Sequence, residues 1–121
     1  MTSEEKKAYL LLKTIIFQYH GLDEDEQQLL EETASEIDGS KELSWVNDFV
    51  SQDYYDAFDR ARKYLKTAMN ALDKAKRLHF LFNVWEANNQ KGYISEMEAT
   101  AMIKLAQDWG VDKELMENIK K

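Results

Sequence analysis

The sequence predicts an all-α fold, and three observations carry that reading. No proline and only four glycines occur in 121 residues, which leaves little to break long helices or build the tight turns of an all-β chain. Apolar residues recur at helical spacing along most of the chain. Pairs with capping-box spacing, a short polar residue followed three positions later by glutamate, precede several of those stripes. About seven helices and no strand are expected.

Taken in order, Thr2 with Glu5 opens a first helix from about Ser3 to Tyr19, lined by Ala8, Leu11, Leu12, Ile15 and Ile16 and stopped at His20-Gly21. Asp23 with Glu26 opens a second helix, whose inner face is Leu29, Leu30, Thr33, Ala34 and Ile37. Asp38-Gly39 stops it, with the glycine expected to take the left-handed conformation. Ser40 is expected to cap a short third helix carrying Leu43, Val46, Phe49 and Val50. From Ser51 to Gln90 neither glycine nor proline occurs. A stripe runs from Tyr54/Tyr55 through Phe58, Ala61, Leu65, Met69 and Leu72 to Leu78, Phe82 and Trp85. Such a length predicts a break near Thr67–Asp73. Asn88 to Gly92 reads as a loop, and Ser95 with Glu98 opens a helix carrying Ala101, Met102, Leu105 and Trp109. Gly110 ends it, and Asp112 caps a last short helix with Leu115, Met116 and Ile119.

The second half echoes the first. A shift of 72 residues sets Leu30 on Met102, Ala34 on Ala106, Ile37 on Trp109 and Leu43 on Leu115. Gly21 and Gly92 are 71 apart, so the second loop gains a residue. The chain is read as one domain, 1–121, made of duplicated helix–glycine loop–helix–short helix units at about 5–50 and 70–121.

Composition narrows the chemistry. The absence of cysteine removes disulfides, thiolate metal sites and cysteine nucleophiles. His20 and His79 are the two histidines, too few for a zinc-hydrolase site. Neither a glycine-rich phosphate loop nor a nucleophile elbow is present. A formal charge of −7 and a pI near 4.8 argue against nonspecific nucleic-acid binding. The longest unbroken apolar run, Ala8 to Leu12, cannot span a membrane, and Met1 to Glu5 carries the wrong charge for a signal peptide. A soluble, cytoplasmic, non-enzymatic domain is expected.

The charge is unevenly laid. Asp23 to Glu42 holds nine acidic residues and one lysine, whereas Arg60 to Arg77 holds seven basic residues and one aspartate. The acids Asp23 to Glu26 suit a helix first turn; Asp23 and Glu26 with His20 are also a candidate divalent-metal site. Arg60, Arg62, Lys63, Lys66, Lys74, Lys76 and Arg77 form a candidate basic strip for an acidic protein or an anionic membrane surface. Alternatively, the two segments are solvated faces that attract each other. Tyr54, Tyr55, Phe58, Phe80, Phe82, Trp85 and Trp109 read as core, with Tyr54 and Trp45 as a candidate protein-contact patch.

The order Lys91-Gly92-Tyr93-Ile94-Ser95-Glu96-Met97-Glu98, followed by Leu105-Ala106-Gln107-Asp108-Trp109-Gly110, resembles the repeat of the TerB-like family. Gly21-Leu22-Asp23-Glu24-Asp25-Glu26 with Ile37-Asp38-Gly39 is its counterpart in the first half. The resemblance covers about Tyr9 to Ile119 and implies a helical bundle linked to tellurite and stress resistance, with divalent-metal binding. The family's aspartate before glycine is replaced by His20 and Lys91. Gly92, Ile94 and Glu98 also fit positions of an EF-hand loop, but Ala87, Asn89 and Lys91 then fill ligand positions, so that loop is read as calcium-silent. A third reading is a small enzyme using an interhelical pocket around His79.

Overall fold

The computed structural model describes residues 1–18, 24–89 and 94–119. Among them are seven helices and no strand: α1 (Ser3–Gln18), α2 (Glu24–Glu36), α3 (Ser40–Ser51), α4 (Ala57–Asn70), α5 (Lys74–Asn89), α6 (Glu96–Asp108) and α7 (Asp112–Ile119). The all-α expectation is met. The chain divides into two compact units, Met1–Lys63 and Tyr64–Lys121, and the boundary falls inside α4.

In the first unit α1, α2 and α3 pack pairwise against one another. Helix α1 is buried continuously from Leu10 to Phe17, and this run takes in two polar residues, Lys13 and Thr14. Thr14 satisfies its hydroxyl by donating to the Leu10 carbonyl at 2.8 Å. Leu30 and Ala34 of α2 and Leu43, Val46 and Val50 of α3 complete the buried set. In the second unit α5, α6 and α7 pack pairwise in the same way, around Leu81, Val84, Met102, Leu105, Ala106, Trp109 and Leu115.

The two units share one plan. Helices α1 and α5 have the same length at an offset of 71 residues, and α2 and α6 at an offset of 72. Their caps repeat as well. The amide of Glu5 donates to Thr2 Oγ1 at 3.1 Å, and that of Lys76 to Asp73 Oδ1 at 2.9 Å. At the end of α2, Gly39 N donates to Ala34 O and Asp38 N to Ser35 O. At the end of α6, Val111 N donates to Ala106 O and Gly110 N to Gln107 O. This is the paired closure in which a left-handed residue reverses the chain and satisfies the last carbonyls.

That closure corrects one expectation. The left-handed residue of the first unit is Asp38, at φ 54°, and not Gly39. Gly39 takes an ordinary φ of −119° as the N-cap of α3. Space is tight there, because a Cβ would meet Ile37 Cγ1 at 3.2 Å and Leu10 Cδ1 at 3.3 Å and those side chains would have to give by a few tenths of an ångström. The equivalent left-handed position in the second unit is Gly110, at φ 70°. Ser40 and Asp112 are likewise first helical residues rather than caps.

A second correction concerns the long stripe. Residues 52–56 are not helical and α4 begins at Ala57. Tyr54 and Tyr55 are exposed instead of core. Phe58, Phe82 and Trp85 are partly exposed, whereas Phe80 and Trp109 are buried. The break between α4 and α5 does occur at residues 71–73, inside the expected interval.

Candidate functional site

The acidic segment forms its surface on α2. Glu24, Asp25, Glu31, Glu32 and Glu36 are exposed, as is Asp38 just beyond the helix. Gln28 Nε2 donates to Glu32 Oε1 at 3.2 Å along this outer face. Glu42 does not belong to it: it is buried in the first turn of α3, and its Oε2 has no hydrogen-bond partner among the described residues. Helical spacing explains the difference. Glu42 shares a stripe with Val46 and Val50, both buried, whereas Ser40, Ser44 and Asn47 point to water.

Between α2 and α3 lies an open groove of about 260 Å³, lined by Glu31, Ala34, Ser40, Leu43, Ser44 and Asn47. Ala34 and Leu43 are buried and form its floor; the four polar residues are exposed and form its rims. Glu24 stands two turns before Glu31 on the same stripe of α2. The groove is therefore an apolar patch edged with hydroxyl, amide and carboxylate groups and open to solvent.

Of the candidate metal residues, Glu26 is half-exposed in the first turn of α2, while His20 and Asp23 lie outside the described residues. Among the described residues, no group of three or more His, Cys, Asp or Glu side chains is placed to hold a metal ion. In the loop that invited the EF-hand comparison, Lys91 and Gly92 lie outside the described residues. Glu98 is buried and closes a capping box: its Oε1 accepts from Ser95 N, and its own amide donates to Ser95 Oγ, both at 3.1 Å.

The candidate basic strip divides between the units, Arg60, Arg62 and Lys63 in the first and Lys66, Lys74, Lys76 and Arg77 in the second. Arg60 and Arg77 bind main chain. Arg60 donates to Phe49 O and Asp53 O, each at 2.8 Å, and its Nε to Asp56 Oδ1 at 2.6 Å. Arg77 donates through Nε to Met69 O and Leu72 O and through Nη1 to Trp109 O, each at 3.0 Å. Lys74 pairs with Glu114 at 2.6 Å, and that hydrogen bond holds the Glu114 carboxyl below its ordinary range. Lys63, Lys66 and Lys76 are exposed and Arg62 is half-buried.

His79 is exposed, with Asn83 Nδ2 3.1 Å from its Nε2. Trp45 is half-buried, with the Lys7 ammonium 5.0 Å from its ring centre. Ser44 and Asn47 carry no motif; their mark in the sequence is an i, i+3 polar pair on the side of α3 opposite Glu42 and Val46. Lys13, a charge within an apolar stretch of the sequence, is buried on α1 with its ammonium 5.2 Å from the Tyr9 ring. Burial pulls the Lys13 pKa below the usual lysine value, and the charge of Glu36 partly opposes that. No helix among the described residues is long and apolar enough to cross a membrane. No family model, curated protein or solved structure matches the chain.

Proposed function

We propose that the chain is a non-enzymatic binding domain of the TerB-like kind, and that its first unit takes a basic protein segment along α2 and α3. The observation that carries this reading is the groove with its apolar floor of Ala34 and Leu43 and its rim of Glu31, Ser40, Ser44 and Asn47. An enclosed small-molecule site would bury most of its ligand; this groove is open to solvent and suits side chains of a partner laid across it. The exposed carboxylates of Glu24, Asp25, Glu31 and Glu32 outnumber Lys41, the one base of α2 and α3, and make the approach predominantly negative. Such a field raises the association rate and discriminates against acidic partners, and added salt weakens it.

The test is fluorescence anisotropy of the whole protein with a labelled lysine–leucine repeat peptide. Binding is expected to weaken as salt rises, and to weaken again in the Glu24→Gln/Glu31→Gln variant. Affinity unchanged by both the double substitution and salt would remove the reading. Leu43→Ser supplies a second check, because it makes the groove floor polar without altering charge.

A further inference from the structure

The connection between α3 and α4 carries the most exposed aromatic surface among the described residues. Tyr54 is 68% exposed and Tyr55 fully so. The other large exposed apolar side chains, Met1, Met97 and Met116, stand apart from one another in sequence. Neither tyrosine ring has a hydrogen bond, ring contact or cation contact among the described residues.

The loop that displays them is tightly held. Asp53 Oδ1 accepts the amide of Tyr55 at 2.9 Å, a turn that fixes the backbone between the two rings. Arg60 reaches back from α4 to three points, the carbonyls of Phe49 and Asp53 and the carboxylate of Asp56. Its guanidinium also lies 4.9 Å from the centre of the Phe49 ring. The tyrosines thus stand on a backbone whose ordering cost is already met in the free protein, the condition under which aromatic side chains bind most effectively.

Charge decides what they would bind. Asp48, Asp53, Asp56 and Asp59 are all exposed and flank the two tyrosines in sequence, and Arg60 is the only base within residues 47–60. Asp56 is engaged by Arg60 and one Asp53 oxygen by the Tyr55 amide, which leaves the second Asp53 oxygen and the Asp59 carboxylate, both exposed and within four residues of Tyr55. A guanidinium satisfies both features at once, stacking on a ring while donating to a carboxylate, whereas an ammonium is a more strongly hydrated point charge. The first unit uses the same chemistry internally, at Arg60, which lies over the Phe49 ring and donates to Asp56.

We propose that the Tyr54–Tyr55 loop is a docking site for an arginine-bearing protein segment, stacked on the exposed rings and paired with the flanking aspartates. This deepens the protein-binding reading above and rests on it: Asn47 of the groove rim is one helical turn from Ser51, where α3 ends and the loop begins. A segment lying along α3 would meet the groove and then the tyrosines.

The experiment titrates the whole protein with labelled arginine–glycine, lysine–glycine and glutamate–glycine repeat peptides. The arginine peptide is expected to bind best and the glutamate peptide not at all. Tyr54→Ala/Tyr55→Ala is expected to weaken the arginine peptide about tenfold. The phenylalanine pair should retain binding, and the melting temperature should not move. Weakening by Glu24→Gln/Glu31→Gln but not by the tyrosine pair overturns the loop and leaves the groove standing; the reverse result supports the loop and removes the groove. Indifference to both pairs, or equal binding of arginine and lysine peptides, overturns the loop. Self-association by light scattering that the alanine pair abolishes assigns the loop to a second copy and overturns the arginine proposal.

Discussion

Arg77, at the start of α5, donates to the carbonyl oxygen of Trp109 at 3.0 Å, just where α6 ends. The first unit has a counterpart in Lys6, 71 positions earlier, whose ammonium donates to Asp38 O at 3.0 Å. Each unit thus ties the first turn of one helix to the closing turn of the next with a cation on orphan carbonyls. The arginine does more, because its Nε also bridges Met69 O and Leu72 O ahead of α5.

Arg77→Ala is expected to destabilise the protein by about 2 kcal/mol, since carbonyls bonded to a charged donor lose their partner. Arg77→Lys should recover little, because one ammonium cannot span three carbonyls in fork geometry. Lys6→Ala, which removes one exposed bond, should cost only about 0.5 kcal/mol. Urea denaturation of the three variants checks the order.

Ser95→Ala removes the side-chain half of the capping box on α6 and is expected to cost about 1 kcal/mol. The amide of Glu98 should then lose protection from hydrogen exchange before the middle of the helix does. An unchanged exchange rate at that amide would contradict the cap.

The two closing turns invite a paired test. Gly110→Ala places a side chain at φ 70° with open space around it, so its cost is conformational, about 1 kcal/mol. Gly39→Ala has no such strain but forces Leu10 and Ile37 aside. Asp38→Gly is expected to be neutral or stabilising, because it relieves the left-handed aspartate. Melting curves of the three separate conformational from steric demand.

Lys13 makes stability depend on alkaline pH. Its pKa in the folded protein lies below 10.5, so between the folded value and 10.5 the unfolded chain binds more protons. Stability therefore rises with pH across that window, and the penalty of the buried charge is fully present below it. Lys13→Met is expected to stabilise the protein at neutral pH and to flatten its rise relative to the parent. Glu36→Gln should lower the Lys13 pKa further and destabilise slightly. Urea midpoints measured across the alkaline range test all three signs.

The helical plan was legible because caps and stripes agreed. Thr2 with Glu5 and Ser95 with Glu98 mark true helix starts, and the aligned pairs Leu30/Met102, Ala34/Ala106 and Leu43/Leu115 are all buried. Tyr54 and Tyr55 were misplaced because they stand in phase with Phe58, Ala61 and Leu65, so spacing alone continued the helix through them. The signal that breaks it is Asp53, whose short carboxylate captures the amide two residues on and competes with the helix. Of the groove, Glu31, Ala34 and Leu43 were visible as an acidic or apolar stripe, while Ser44 and Asn47 were not. Small polar residues on an exposed helix face look alike until a neighbouring helix turns one row of them into a wall.

The closing turn of α2 bears on how the protein ages. An aspartate followed by glycine is the pair that cyclises most readily to a succinimide, because the glycine nitrogen can attack the carboxyl group unhindered. At Asp38-Gly39 that N–H donates to Ala34 O at 2.6 Å, and Gly39 is buried. The fold thereby shields this labile pair, and isoaspartate should accumulate at residue 38 in urea but not in native buffer.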